Sequence, residues 1–247
     1  MMKRREFIIN SLLTVGGVYL LNACKKQKKT NQDTDEKRGD SGLYILAING
    51  SPRKNWNTAK LLKSALNGAE AQGAETELLH LYDYNFKGCY SCLACKRKDK
   101  PAGFCSYPDE LQQVLEKIKK ADGVILGSPI YYGTDSAVMR ALVERLTYPF
   151  LFRPCPYKKP FATIYNMGMD DIGKNPGHNA TSPQLFKSFF GSCDTMTAYG
   201  TYQYDYDVYD GFRTNEERKP KSEKQFPIDL QKAYEIGKRM ALRIQKS

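Results

Sequence analysis

Apolar runs and helical patterns alternate along most of this chain, and that order constrains the fold more than any other feature. LYILAIN (43–49), TELLHL (76–81), GVILGS (123–128) and FATIYNM (161–167) read as strands, and TAYGTYQY (197–204) as a fifth. The first is a continuous apolar run, as expected of a strand covered on both faces. Asn57 or Thr58 can cap a helix carrying Leu62, Ala65, Leu66 and Ala69, and Pro108 and Asp109 open another with Leu111, Val114, Leu115 and Ile118. A third helix is expected from about Ser136 to Thr147, and a last one from Asp229 to Gln245. Helical, right-handed crossovers between successive strands give a parallel sheet. The expectation is an α/β domain of three layers, a doubly wound five-stranded parallel sheet between helices. Ligands of such sheets lie outside the carboxyl ends of the strands. Those ends are the loops after Asn49, Leu81, Ser128, Met167 and Tyr204.

The 247 residues are 41% hydrophobic and 26% charged, enough for one large domain with a full core. The net charge of +11 is spread along the whole chain and forms no nucleic-acid stripe. A solvated basic face accounts for it, with attraction to anionic surfaces or phosphorylated ligands as the sharper alternative.

Residues 1–23 have the layout of a signal peptide: Lys3, Arg4 and Arg5, then an apolar stretch from Phe7 to Leu21 interrupted by Asn10, Ser11 and Gly16–Gly17. Arg4–Arg5 with Phe7 and Ile8 resembles a twin-arginine signal, with Lys3 where Ser or Thr is common. Leu21-Asn22-Ala23-Cys24 resembles a lipoprotein box, with Asn22 as its departure. These resemblances imply acylation at Cys24, a lipid anchor and export to face the periplasm of a bacterium; a plain anchor helix is the other reading. From Lys25 to Ser41 no apolar residue occurs. Residues 24–41 are therefore expected to be a flexible tether and residues 42–247 the folded domain.

Two loops carry candidate binding chemistry. GSPRKNWNT (50–58) is neither GxGxxG nor a Walker loop, so a dinucleotide pyrophosphate or P-loop nucleotide is not expected on it. Ser51, Arg53, Asn57, Thr58 and the amides opening the next helix are the parts of a nest for one phosphate monoester. A Ser-Pro turn with an Asn/Thr cap and no ligand is the plainer reading. SPIYYGTDS (128–136) puts Pro129, Ile130, Tyr131, Tyr132 and Gly133 at a strand's carboxyl end. They form a flat apolar wall with backbone amides, suited to a tricyclic ring, unless the tyrosines simply pack in the core.

GSPRKNWNTAKLL, GCYSCLAC and SPIYYGTDSAVMRALVERL together resemble the NAD(P)H-dependent FMN reductase group of the flavodoxin-like superfamily. Within it, the cysteine run resembles the iron–sulfur flavoproteins. The resemblance implies a flavodoxin-like fold in which Ser51, Arg53, Asn57 and Thr58 hold the FMN phosphate and Pro129 to Gly133 line the isoalloxazine ring. Trp56 stands where the group more often has Gly. The implied activity is hydride transfer from NAD(P)H to FMN and onward electron transfer to an unknown acceptor, with a homo-oligomer expected. A lipid-tethered, non-catalytic electron carrier is the alternative, and a flavin-free binding module a third reading.

Three chemistries compete for CYSCLACKRKDKPAGFC (89–105). Zinc prefers separated CxxC pairs or added histidines, and His80 and His178 are not suitably spaced. Disulfides suit an exported chain, but a CxxCxxC run does not readily pair within itself. A [4Fe–4S] cluster takes three thiolates at this spacing and a remote fourth. Cys89, Cys92, Cys95 and Cys105 supply C-x2-C-x2-C-x9-C, a longer last spacing than in the related flavoproteins and with no proline after Cys105. Twin-arginine export of a folded chain would allow a cluster to be loaded before export. Cys155 and Cys193 read as buried apolar cysteines. Asp170–Asp171 reads as a solvated turn, with a place at the flavin's rim as the alternative, and YGTYQYDYDVYDG (199–211) as either a cover for the site or a subunit contact. No Ser-His-Asp, HExxH or paired-carboxylate arrangement stands out, so no general base is assigned.

Overall fold

The computed structural model describes residues 42–170, 181–211 and 213–246. Five parallel strands form the sheet: β1 (Tyr44–Asn49), β2 (Glu75–His80), β3 (Gly123–Tyr131), β5 (Lys159–Asn166) and β6 (Gly191–Ala198), in the order β2-β1-β3-β5-β6. A two-residue strand, β4 (Thr134–Asp135), turns back antiparallel on the end of β3. This is the doubly wound, flavodoxin-like arrangement expected from the alternation of runs. Among the described residues five helices cover it: α1 (Asn57–Glu70), α2 (Leu111–Lys120), α3 (Ala137–Thr147), α4 (Thr181–Phe190) and α5 (Asn215–Gln245). Among the described residues no helix is long and apolar enough to cross a membrane.

Alternate residues of the central strands enter two separate cores. Leu46, Ile48, Val124, Leu126 and Phe161 pack with α2, α3 and α4. Ile45, Ala47, Ile125, Ala162 and Ile164 pack with α1 and α5. Burial on both faces is why these strands read as continuous apolar runs. On the second face, α1 and α5 approach to backbone contact at two glycines. A methyl group on Gly237 would lie 1.7 Å from the Ala65 carbonyl oxygen, and one on Gly68 2.0 Å from that of Tyr234.

Two expectations fail. The fifth strand is Gly191–Ala198, not 197–204, and pairs in register with β5 from Lys159↔Gly191 to Asn166↔Ala198. As an edge strand it is half-exposed along most of its length, so GSCDTMTA carries no apolar run. The tyrosine-rich stretch that mimicked a strand is loop. The last helix starts at Asn215 rather than Asp229, through Pro220 and Pro227. Each proline removes one backbone donor, which normally ends or kinks a helix. Here a capping box between Thr214 and Glu217 nucleates the helix upstream of both.

Candidate active site

The loop after β1 is organised by Asn49, fully buried at the strand's end. Its carboxamide oxygen accepts the Ser51 N–H at 2.9 Å, and its nitrogen lies 2.9 Å from His80 Nδ1. Ser51 Oγ in turn accepts the Arg53 N–H at 3.2 Å. Neither Asn57 nor Thr58 caps α1. Trp56 occupies the cap position with no side-chain hydrogen bond, and the first turn carries no acidic residue. The helix thus presents its positive end to the loop, which suits an anion. Asn57 Nδ2 donates instead to the Tyr202 carbonyl at 2.7 Å, and Thr58 Oγ1 to Asn166 Oδ1 at 2.5 Å. The Arg53 guanidinium donates to the Gln203 carbonyl. All four residues nominated from the sequence therefore meet at one end of the sheet. Two of them already hold the tyrosine-rich segment.

That segment covers the loop. Tyr204 packs against Tyr206 and Tyr209, and Tyr202 against Tyr206. Asn215 Nδ2 fixes Asp205 at 2.6 Å, holding the carboxyl below its usual range. Between the segment and the loop lies a cleft of about 570 Å³ lined by Arg53, Trp56, Gln203, Tyr204, Asp205, Tyr209 and Asp210.

The loop after β3 is tied to the loop after β1. Ser136 caps α3, accepts from Met139 N–H, and donates its hydroxyl to the Gly50 carbonyl at 2.6 Å. Ser128 Oγ accepts the Ser136 N–H at 2.9 Å. The five-residue wall divides. Pro129 and Ile130 are buried, whereas Tyr131 is 44% exposed and Tyr132 fully so. Tyr132 and Gly133 turn the β3–β4 hairpin with φ of 50° and 82°, the doubly positive combination of a type I′ turn. A tyrosine in that conformation is strained, and here it projects into solvent at the sheet's carboxyl edge.

Asp135, on the hairpin's returning strand, and Tyr165 and Asn166, on the neighbouring β5, were not singled out from the sequence. Asp135 is buried and accepts from Ser182 Oγ at 2.9 Å. Burial pushes its carboxyl above the usual range, against the hydrogen bonds from Ser182 and Tyr165. Burial, then the Asp135 charge, pushes the Tyr165 phenol up. Asp135 stands inside the quoted SPIYYGTDS stretch, but nothing local marks it as buried. Burial lowers His80 from its ordinary value, and Asp83 opposes the shift. Asp170 is exposed in a bend, as the turn reading expects, but it also gathers three cations. It receives Arg218 at 2.6 Å, Arg213 at 3.5 Å and Lys221 at 3.8 Å; Asp171 lies outside the described residues.

The cysteine loop leaves the same edge after β2. Cys89 and Cys92 are exposed, Cys95 and Cys105 half-buried, and all are free thiols. Ser91 and Leu93, with φ of 53° and 58°, turn the backbone twice between the cysteines. The Ser91 N–H points at Cys89 Sγ at 3.4 Å, and Arg145 Nε at Cys105 Sγ at 3.4 Å. Burial, then the nearby Cys105, raises the Cys95 thiol, with Lys96 opposing. An all-thiol set with N–H donors to sulfur fits an iron–sulfur cluster in kind. Among the described residues, however, no three Cys, His, Asp or Glu side chains are gathered into a metal-binding group. Cys155 is buried and Cys193 partly so, and burial pushes the Cys193 thiol to about 11.

Residues 43–197 match the family described as NADPH-dependent FMN reductase. An iron–sulfur flavoprotein of Methanocaldococcus jannaschii is 41% identical over 103 residues, covering 42% of this chain and 51% of that protein. One of Archaeoglobus fulgidus is 40% identical over 131 residues, covering 53% and 62%. The chain thus spans roughly half the length of the curated relatives it matches. The NAD(P)H:quinone oxidoreductase of Methanothermobacter marburgensis superposes with a TM-score of 0.57 at 14% identity, over 79% of this chain and 94% of that one. An azoreductase of Bacillus anthracis gives 0.56 at 15%, over 80% and 99%. At such identities the likeness is one of fold.

Proposed function

The chain belongs to the NADPH-dependent FMN reductase family, and from that premise we propose that it is an NAD(P)H-dependent flavin oxidoreductase. In this reading it holds FMN across the loops after β1 and β3 and passes electrons to an acceptor through a [4Fe–4S] cluster on the 89–105 loop. The observation that carries the flavin assignment is the joint between the two loops. Ser136 holds the Gly50 carbonyl at 2.6 Å, beside a helix start that no side chain caps. An anion nest and a flat apolar wall at a fixed separation suit a flavin mononucleotide.

When bound, FMN supplies the step between hydride and single-electron chemistry, and a cluster supplies single-electron transfer. Ser51, Thr58 and the first-turn amides of α1 would face the phosphate. Arg53 and Asn57 add positive charge and donors, and also clasp the 199–211 segment over it. Pro129 and Ile130 form the buried base of the ring's wall, Tyr131, Tyr132 and Gly133 its exposed edge. Cys89, Cys92, Cys95 and Cys105 would hold the cluster. The all-thiol donor set supports that part, as do the iron–sulfur flavoproteins to which the chain is similar.

Purified without oxygen, the protein should be yellow, release FMN on denaturation and contain iron and acid-labile sulfide. It should oxidise NAD(P)H with an artificial acceptor. Colourless protein that does not take up FMN would overturn the reading. FMN-loaded protein without turnover would leave a carrier reduced by a protein partner. We also propose export and acylation at Cys24. Changing Arg4 and Arg5 together to Lys should then strand the precursor in the cytoplasm, whereas normal acylation would point to the general secretory route.

A further inference from the structure

Asn49 and His80 form the last register pair of the ladder between β1 and β2. Asn49 is fully buried, so both ends of its carboxamide have to be matched inside the protein. One end meets the Ser51 N–H at 2.9 Å, and the other lies 2.9 Å from His80 Nδ1. A backbone N–H only donates, so the end that faces Ser51 is the oxygen. The carboxamide therefore offers His80 an N–H, and Nδ1 has to accept it. That fixes the imidazole as neutral, with its proton on Nε2. The chain of bonds continues outward, because Ser51 Oγ accepts the Arg53 N–H at 3.2 Å. The protonation of a side chain on β2 is thus tied to the turn of the loop after β1.

Acid places a second proton on the ring, at Nδ1, where it faces the Asn49 N–H. Turning the carboxamide over relieves that contact only by facing its nitrogen to the Ser51 N–H. In either arrangement two donors meet at a group that water does not reach, and a buried bond is lost. Among the described residues the charged groups around His80 are Asp83, on the segment after β2, Lys54, on the loop after β1, and Lys63, on α1. The charge of Asp83 is already met by Lys54. Burial holds the imidazole below its ordinary value, the two lysines reinforce that shift, and Asp83 opposes it.

We propose that neutral His80 is a positioning residue for the anion loop: through Asn49 it holds Ser51 and Arg53 in place for the FMN phosphate, and its protonation releases them. The proposal rests on the flavin reading given above. The neutral form is the binding form, so affinity is full above the His80 midpoint and falls as pH drops through it. By reciprocity, bound FMN lowers that midpoint. Plain attraction between an imidazolium and a phosphate would do the opposite.

The chain has two histidines, His80 and His178, so nitrogen-15 NMR of the rings resolves them and His80→Asn identifies the signal that disappears. In the wild type at pH 8, His80 should carry its proton on Nε2 with Nδ1 bare; a proton on Nδ1 would overturn the proposal. FMN dissociation constants are then measured by equilibrium dialysis from pH 8 to pH 5 for the wild type and His80→Asn. The asparagine oxygen can accept from Asn49 and does not titrate, while the phosphate's own titration affects both proteins alike. The ratio of the wild-type constant to that of the variant should rise by about tenfold across this range, as expected for one lost buried bond. A constant ratio, or one that falls in acid, would sink the proposal and leave the flavin reading intact. If His80→Asn does not fold, Asn49→Asp decides. Its carboxylate accepts from both Ser51 and an imidazolium, so the His80 midpoint should rise and the acid sensitivity should flatten; unchanged sensitivity counts against the proposal. Wild-type protein that takes up no FMN at pH 8 would remove the flavin reading, and this proposal with it.

Discussion

The loops after β1 and β2 leave the same edge of the sheet and are held in opposite ways. The first is fixed by neutral groups close to the strand ends: Asn49 on Ser51, Ser136 on Gly50, Thr58 on Asn166. The second is exposed and held from outside by two cations, Arg145 and Arg153, which reach into its carbonyls and one of its sulfurs, while its own Lys96 reaches out to the Pro149 carbonyl. A neutral frame can stand ready for an anion without repelling or neutralising it. A loop clasped by cations offers them acceptors instead, its own carbonyls and the Cys105 sulfur. The difference teaches that the two halves of the edge need not share their stability.

The largest effect should come from removing the counter-charge of the clasp. Asp109→Ala leaves the Arg145 guanidinium buried without its carboxylate, which should cost about 3 kcal/mol. Urea unfolding should show the loss, and hydrogen exchange should show residues 89–105 opening while FMN affinity stays within about twofold, a change of only about 0.4 kcal/mol. An equal loss of FMN affinity would break the comparison.

Ser136→Ala strikes the other loop by removing a helix cap and the bond to Gly50. It should cost about 1–2 kcal/mol and weaken FMN binding by about fivefold or more, with iron per chain unchanged. Equilibrium dialysis and iron analysis on the same preparation decide it.

Asp135 provides a pH-dependent probe of the hairpin's returning strand. Its folded pKa is raised above its ordinary 3.8, so its contribution to stability is present below that value and lost as pH rises through the folded pKa. Asp135→Asn should accordingly stabilise the protein near neutral pH, with the gain shrinking as the solution is acidified. Thermal melts across pH 3 to 8 that run parallel for the two proteins would refute the assignment.

The smallest effect belongs to an ion pair that spans the two loops, Lys54 with Asp83, both side chains 47% exposed. Lys54→Ala should cost no more than about 0.5 kcal/mol and should leave both FMN and iron unaltered. A larger loss would mean that the two regions are coupled after all.

The sheet was legible because its central strands are covered on both faces, which leaves LYILAIN and GVILGS almost wholly apolar. GSCDTMTA escaped because an edge strand has no such requirement. Pro220 and Pro227 hid the first half of α5, since the cap that starts it lies well before both. In the site, Ser51, Asn57 and Thr58 could be read because strand end, loop and helix start are consecutive. Their partners could not: Asn166 stands 108 residues from Thr58, Gln203 150 from Arg53, and Arg145 58 from Lys87. No local pattern carries contacts at such separations. The cysteine run was visible from spacing alone, but not the charge that faces Cys105.

The glycine seam between α1 and α5 has a consequence for where this domain can be divided. The family match stops at residue 197, yet Gly68 and Ala65 lie in backbone contact with a helix that begins at Asn215. A chain cut at the end of the matched stretch would expose the small-residue side of α1, including Ala65 and Ala69, to water. It would also lose the helix against which α1 is seated, the same α1 whose first turn forms the mouth of the anion nest. The final thirty or so residues are therefore a structural wall shared with the binding loop rather than an appendage. Shortened forms of this protein should be designed to retain them.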